Sequence, residues 1–118
     1  MITLPIPKPI SVNNIFVNRG RKRVKSERYR VWRNAAEWTV KAAGPITSIA
    51  GPVDVTLYIT EVGVSPRMDI DNTAKAYIDL LVRLGVIKDD SRRILRALSL
   101  RWTAQAQGWA IIEPHKGE

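Results

Sequence analysis

The chain has 118 residues, a formal net charge of +8 and no cysteine, and its single histidine, His115, lies close to the last residue. This length suits one compact domain spanning residues 1–118, and 45% hydrophobic residues is typical of a folded chain. The absence of cysteine excludes disulfides, zinc–thiolate sites and thiol nucleophiles, and one histidine argues against a Ser-His-Asp triad or a multi-histidine metal site. Chemistry is therefore left to carboxylates, lysines, arginines and hydroxyls.

The basic excess indicates a polyanionic partner, with nucleic acid as the first candidate. An anionic membrane surface is a weaker alternative, because the basic residues are not backed by a lipid-facing apolar helix. No stretch reaches the ~20 apolar residues that a membrane span needs, and the first residues lack the pattern of a signal peptide. We therefore expect a cytoplasmic protein, associated with nucleoid DNA and making no membrane contact.

The N-terminal quarter combines a short apolar run with a basic segment. The alternating run Ile2–Ile6 is interrupted and followed by prolines, which predicts an edge strand or an extended lead-in. Residues 11–25 are polar and are predicted to form a loop that carries five basic side chains: Arg19, Arg21, Lys22, Arg23 and Lys25. In a chain of this charge, such a cluster is typical of contacts with DNA phosphates, and a solvated flexible loop is the alternative.

A first helix is predicted after Ser26, a suitable N-cap, up to the stop at Gly44-Pro45. Its apolar stripe recurs at helical spacing: Tyr29, Trp32, Ala36, Thr39, Val40 and Ala43. Two tryptophans, Trp32 and Trp38, would suit stacking on bases. The interpretation that we favour is that they are core or dimer-interface residues.

The second half of the chain predicts a strand, a helix and two further strands. Val53–Thr60 alternates apolar and polar residues, as a half-buried strand does. A helix is predicted from near Asp71 to a stop at Gly85, with an apolar face that comprises Ala74, Tyr77, Ile78, Leu81 and Leu84. Residues 94–102 and 109–112 are strand candidates on either side of a turn-like segment, and we expect them to form a β-hairpin.

The element order is therefore β-α-β-α-β-β. This order predicts an α+β fold in two layers, with a small mixed sheet of about four strands and two main helices on one face.

Acidic residues cluster at two points, of which the first is Asp69 and Asp71. In extended backbone, side chains two residues apart point the same way, so these carboxylates would share a divalent cation while Ile70 points into the core. Carboxylate oxygens suit Mg²⁺, with Mn²⁺ as the other candidate. Lys75 follows Asp71 by one helical turn and would reach the same site.

The second acidic point is Asp89-Asp90, beyond the end of the predicted helix. A helix of about fourteen residues spans ~20 Å, so Asp90 cannot meet Asp69 along a straight element. It would have to return through the turn that starts at Gly85, or reach a site on a partner subunit.

Each of these residues also has an ordinary structural interpretation. Asp71 would be a helix N-cap, and the aspartate two positions before it would form a surface ion pair. Lys75 would form exposed pairs with Asp71 or Asp79, and Asp89 and Asp90 would be turn residues. A pair of aspartates two positions apart is common in unrelated proteins, so only the combination of these residues in one basic chain favours a catalytic site.

The order and spacing of these residues resemble the RusA family of Holliday-junction resolvases. The similarity covers nearly the whole chain. The family's D-x-D-N-x-x-K pattern corresponds here to Asp69-Ile70-Asp71-Asn72-Thr73-Ala74-Lys75. Its G-x-x-x-D-D pattern corresponds to Gly85-Val86-Ile87-Lys88-Asp89-Asp90. The N-terminal Leu4-Pro5-Ile6-Pro7, the Asn13-Asn14 pair and Arg19-Gly20-Arg21 are also similar to that family.

This resemblance implies a homodimer that cuts four-way DNA junctions by paired symmetric nicks with a divalent metal, usually magnesium. It assigns a catalytic role to four residues, Asp69, Asp71, Lys75 and Asp90, of which the three aspartates also bind the metal. Members of this family are often encoded by prophages.

The chain departs from the family just before Asp69, where some members carry a run of arginines and this one has Arg67-Met68. We expect Arg67 to contact DNA and part of the remaining contact to be lost or to move to residues 19–23. Two rival hypotheses are a non-catalytic basic DNA-binding module with incidental acidic turns, and an inactive member of the family.

Overall fold

The computed structural model describes residues 1–11, 15–20 and 22–117. A 3₁₀ turn, Ile70–Thr73, leads directly into the second helix. In chain order, the strands and α-helices of the described residues are β1 (Ile2–Ile6), β2 (Phe16–Arg19), β3 (Lys22–Lys25), α1 (Glu27–Ala42), β4 (Val53–Thr60), α2 (Ala74–Arg83), β5 (Leu95–Thr103) and β6 (Gly108–Pro114).

The main sheet has four strands in the order β1-β6-β4-β5, and it is mixed. β5 runs parallel to β4, and β6 runs antiparallel to both β4 and β1. Apolar side chains of β1, β4 and β6 alternate onto one face, where α1 and α2 cover them. The predicted α+β architecture of a mixed four-stranded sheet with two helices is confirmed, as is the edge position of β1.

The predicted hairpin of the last two strands is wrong, because β4 lies between β5 and β6. The apolar side chains of β4 are the most completely buried of any strand in the sheet. A central position in the sheet covers them best. Gly108 begins β6 rather than ending a turn, and a Cβ there would lie 2.5 Å from the carbonyl oxygen of Tyr58. The missing side chain allows β6 to approach β4 closely.

The predicted polar loop of residues 11–25 is also wrong in part, because β2 and β3 form an antiparallel two-stranded ribbon within it. Phe16 pairs with Lys25 and Arg19 with Lys22, and Gly20 has φ 62° at the turn between the strands. Charged and amide residues have low strand propensity, so these residues show no alternation of apolar and polar side chains that would predict strands. Residues 12–14, which include the Asn13-Asn14 pair, and Arg21 lie outside the described residues.

The first helix begins and packs as its sequence predicts. Ser26 is the N-cap, and its hydroxyl accepts a hydrogen bond from the Tyr29 N–H at 3.1 Å. Trp32 packs against the core as favoured, whereas Trp38 is 76% exposed, so the core interpretation is wrong for Trp38. Within the described part of the chain, no helix is long and apolar enough to cross a membrane.

An aromatic cluster of Tyr29, Trp32 and Tyr77 joins both helices to the end of β1. The Trp32 ring lies 6.1 Å from Tyr29 and 5.5 Å, edge-on, from Tyr77. The Trp32 indole N–H donates to the carbonyl of Lys8 at 2.6 Å, and the Tyr77 hydroxyl donates to the carbonyl of Pro7 at 2.7 Å. Burial raises the pKa of Tyr77, so this hydroxyl stays protonated and remains a donor at all ordinary pH values.

We expect Tyr77→Phe to lower the free energy of unfolding by about 1–3 kcal/mol, because it leaves the Pro7 carbonyl without its partner. Tyr58→Phe is the matched control, since the Tyr58 hydroxyl forms no hydrogen bond with any described residue and should change stability by less than about 0.5 kcal/mol. Urea unfolding of the three proteins measures the difference. Equal stabilities would contradict the role given to the Tyr77 hydroxyl.

Candidate functional site

An open groove of about 530 Å³ lies between the end of β3, the helix α2 and the segment that follows α2. It is lined by Lys25, Lys75, Asp79, Val82, Arg83 and Asp90. Three of these residues, Lys25, Lys75 and Asp90, are site residues that the sequence predicts. The structure therefore places a predicted DNA-binding lysine, the predicted catalytic lysine and one predicted metal ligand on a single surface.

The sharp turn after α2 explains how Asp90 reaches the same groove as Lys75. Gly85 has φ 76°, and its N–H donates to the carbonyl of Val82 at 3.0 Å. The N–H of Val86 donates to the carbonyl of Leu81 at 3.0 Å, which completes a Schellman motif. Because Val86 is then buried in the core, the chain folds back against α2 before Asp90 emerges. The predicted stop at Gly85 is confirmed.

Lys75 is paired along its own helix. Its ammonium lies 3.6 Å from a carboxylate oxygen of Asp79, with the two side chains 48% and 27% exposed. A pair this exposed contributes little to stability and exchanges readily with another anion. The ordinary interpretation of Lys75 is therefore partly correct, with Asp79 rather than Asp71 as the partner.

Sequence reasoning missed Asp79 and Arg83 as residues of this groove. Lys75, Asp79 and Arg83 are spaced by four residues, so they lie on one face of α2. This regular spacing of charged residues on a predicted helix was the signal that would have identified Asp79 and Arg83. Arg83 also forms an ion pair with Glu37 of α1, which orients its guanidinium at the edge of the groove.

Asp69 and Asp71 lie at the start of the 3₁₀ turn and are both exposed. Asp69 is extended, with φ −79° and ψ 134°, whereas Asp71 is already helical, so the expectation that both side chains share an extended strand holds only for Asp69. Ile70 between them packs against the core as predicted. Neither carboxylate pairs with a described residue, and Asp71 is not an N-cap: Asp69 and Thr73 occupy the two N-cap positions.

The topology separates these two carboxylates from Asp90. Asp69 and Asp71 follow the end of β4, whereas Asp90 precedes the start of β5, and parallel strands begin at the same edge of a sheet. Helix α2 connects the two edges. Among the described residues, no three acidic or histidine side chains form a group that would hold a metal ion. The structure thus brings Asp90 together with Lys75 but does not gather the three aspartates in one group.

Asp89 has a different role from its neighbour. Its carboxylate accepts a hydrogen bond from the Ser91 N–H at 2.9 Å. Hydrogen bonds from the side chain and the backbone of Ser91 lower the pKa of Asp89, so it is ionised at neutral pH. The interpretation as a turn residue is correct for Asp89, and of the two aspartates it is Asp90 that lines the groove.

The predicted DNA-binding residues are only partly described. Lys25 is exposed at the groove, and its ammonium lies 5.1 Å from the centre of the Tyr29 ring, within reach of a cation–π interaction. Arg67 is exposed in the loop before Asp69. Nothing is described for Arg21, or for the side chains of Arg19, Lys22 and Arg23, whose backbones belong to the β2–β3 ribbon.

A mixed sheet with an exposed set of carboxylates and lysines beside a basic ribbon suits an enzyme that acts on nucleic acid. The family model described as endodeoxyribonuclease RusA matches residues 5–108, which include all four predicted catalytic residues. The chain therefore belongs to the RusA endodeoxyribonuclease family, and the resemblance seen in the sequence is confirmed. No curated protein matches the chain at a significant level.

The conformation of Gly85 generates a stability prediction. A Cβ at this position would meet no atom within 4 Å, so the cost of Gly85→Ala is that of the positive φ alone, about 1–2 kcal/mol of unfolding free energy. Gly117→Ala is the control, because Gly117 also has open space around it and does not have a positive φ. Urea unfolding should separate the two variants, and equal stabilities would contradict the Schellman assignment.

Proposed function

We propose that this protein is a metal-dependent Holliday-junction resolvase that cuts branched DNA as a homodimer by paired symmetric nicks. The observation that carries this proposal is the groove that holds Lys75 and Asp90 together with Lys25. Membership of the RusA family supplies the class of reaction, an endonucleolytic cut in DNA.

The donor chemistry of the three predicted ligands fits a magnesium ion, with manganese as an alternative. Asp69, Asp71 and Asp90 offer only hard carboxylate oxygens, and all three are exposed and form no ion pair with a described residue. Because α2 separates Asp90 from the other two aspartates within one chain, we propose that the ion is held between two subunits, by Asp69 and Asp71 of one chain and the partner subunit's Asp90. When bound, such an ion lowers the pKa of a coordinated water and offsets negative charge on the phosphate.

Lys75 would act on the scissile phosphate directly. Its ammonium is exposed and held at the groove by Asp79, which keeps it within the site before DNA arrives. A phosphate oxygen would replace the Asp79 carboxylate as its partner, because the exposed ion pair is weak. Lys75 would then neutralise the charge that builds up on the phosphate as the P–O bond breaks.

The basic residues would bind the DNA backbone around this site. Lys25 lies at the groove itself, and we propose phosphate contacts for it and for Arg19, Arg21, Lys22, Arg23 and Arg67. A two-fold symmetric dimer would present two such grooves, and their fixed separation would select a branched substrate by shape and produce two symmetric cuts.

The rival hypotheses predict binding without cleavage. A basic module or an inactive member would bind a four-way junction equally well through its charge. The carboxylates argue for an enzyme, because a DNA-binding surface without metal gains nothing from an exposed, unpaired Asp90 beside a phosphate.

Two adjacent aspartates provide a matched test of catalysis. We expect Asp90→Asn to abolish magnesium-dependent cleavage of a labelled synthetic four-way junction, as should Asp71→Asn, because each removes an anionic oxygen ligand. Asp89→Asn should retain cleavage, since its amide oxygen still accepts the hydrogen bond from the Ser91 N–H. Junction binding measured without metal should survive in all three variants.

The outcomes of this test separate the hypotheses. If the unmodified protein binds the junction but does not cut it with magnesium or manganese, the rival hypotheses gain and the proposed function fails. If Asp89→Asn and Asp90→Asn lose cleavage equally while staying folded, the assignment of Asp90 is wrong.

Lys75→Ala should lower the rate of cleavage at saturating junction by roughly 10²–10³-fold, the loss that removal of one charge-stabilising donor typically causes. Its affinity for the junction should change much less, because one phosphate contact among several is removed. Single-turnover cleavage and a binding titration measure the two quantities. Lys41→Ala is the control, since Lys41 is exposed on α1 and does not line the groove. Equal losses in the two variants would contradict a specific role for Lys75.

A further inference from the structure

Three arginines follow Asp90 in a segment that none of the assignments above uses. Residues 91–96, here called the arginine turn, lead from the groove into β5, and Arg92, Arg93 and Arg96 are all exposed in it. By contrast, the loop of residues 61–68 that precedes Asp69 contributes one basic residue, Arg67. Asp90 therefore has more basic residues close to it in the chain than Asp69 has.

Hydrogen bonds fix the backbone of the arginine turn. The carbonyl of Ser91 accepts from the N–H groups of Ile94 and Leu95 at 3.0 and 2.8 Å, and the carboxylate of Asp89 accepts from the Ser91 N–H. Ile94 packs against the core, and its carbonyl accepts from the Val53 N–H at 2.7 Å. Because the turn is tied at both ends, little backbone entropy is lost when its side chains bind a ligand.

Arg96 reinforces the turn from a β-bulge. Val53 pairs with Leu95 and Asp54 pairs with Ala97, so Arg96 is an extra residue on β5. Bulges re-aim the side chain of the extra residue and are frequent beside active sites. The Arg96 guanidinium donates to the carbonyl of Arg92 at 2.9 Å, which holds its positive charge over the turn.

The charges of Arg92 and Arg93 are not neutralised by ion pairs. Neither guanidinium lies within 4.0 Å of a carboxylate of a described residue, whereas Arg30 and Arg83 pair with Glu27 and Glu37. Besides the hydrogen bonds from Ser91, the charge of Arg93 helps to lower the pKa of Asp89, but neither arginine is held in a close ion pair with a described residue. Two adjacent exposed cations of this kind form a surface that favours a polyanion, and guanidinium groups match the geometry of phosphate oxygens.

The position of these cations relative to Asp90 defines which phosphates they would meet. Arg92 is two residues from Asp90, so at most ~7 Å of extended chain separates their backbones. Successive phosphates of one DNA strand are spaced by ~3.4 Å along the helix axis. Arg92 and Arg93 are thus within one to three nucleotides of a phosphate placed in the groove.

We propose that the arginine turn is a second DNA-binding element, in which Arg92 and Arg93 bind the phosphates that flank the scissile one. This inference rests on the proposed function, because it assumes that the DNA strand is cut in the groove. The turn supplies, on the Asp90 side of the site, the cations that the segment before Asp69 lacks. It also offsets the repulsion between the DNA backbone and the two aspartates at positions 89 and 90.

The first experiment measures binding to a four-way junction without divalent metal, so that it does not depend on cleavage. Arg92→Gln/Arg93→Gln should bind about tenfold or more weakly, and the slope of log affinity against log salt should fall by roughly 2, about 0.9 per phosphate contact. Arg30→Gln/Lys41→Gln is the matched control: it removes the same charge from exposed positions of α1 that do not line the groove. Equal slopes for the two double variants would overturn the proposal.

A second experiment locates the contact. Neutral methylphosphonates replace the phosphates one to three positions from the cleavage site, which is mapped on the unmodified protein. These replacements should weaken binding of the unmodified protein but cause little further loss in Arg92→Gln/Arg93→Gln, and this non-additivity identifies the direct contact. Additive losses would overturn the inference. If the protein cuts no junction at all, the proposed function fails while the salt slopes still decide whether the arginine turn binds DNA.

Discussion

Two hydrogen bonds to the residues that directly follow β1 hold the rest of the molecule in place. Tyr77 of α2 and Trp32 of α1 donate to the successive carbonyls of Pro7 and Lys8, so both helices are fastened to one strand end. The rings of these residues are also in contact, which fixes the angle between the helices. Burial of Tyr77 sets the rotation of α2 about its own axis, and this rotation determines which face of the helix carries Lys75 at the surface. The position of the groove therefore depends on this aromatic cluster.

The crossover from β4 through α2 to β5 decides how the acidic residues are divided. A parallel pair of strands needs a connection that returns to the edge where the first strand began. Asp69 and Asp71 therefore stand at one end of α2 and Asp90 at the other. The Schellman turn at Gly85 then folds the chain so that Asp90 faces the side of the helix that carries Lys75, Asp79 and Arg83.

The charge distribution is consistent with a surface that binds a polyanion around a small acidic site. Asp79 and Glu37 pair with cations of the groove, and Asp89 holds the turn before β5. Asp69, Asp71 and Asp90 have no such structural task among the described residues. Side chains that contribute nothing to the stability of the fold are the ones available for chemistry.

Local sequence patterns predicted both helices, β4 and the set of reactive side chains. Apolar periodicity fixed β4 and the buried faces of α1 and α2, Ser26 and Gly85 marked helix ends, and the spacing of Asp69, Asp71, Lys75 and Asp90 indicated the family. The pairing of the strands and the contacts between side chains became visible only in the folded chain. Strand pairing and the groove depend on contacts between residues far apart in the chain, about which a local pattern carries no information. The basic ribbon of β2 and β3 was missed for a related reason: its strands pair with each other and not with the main sheet, and their sequences show no regular apolar alternation.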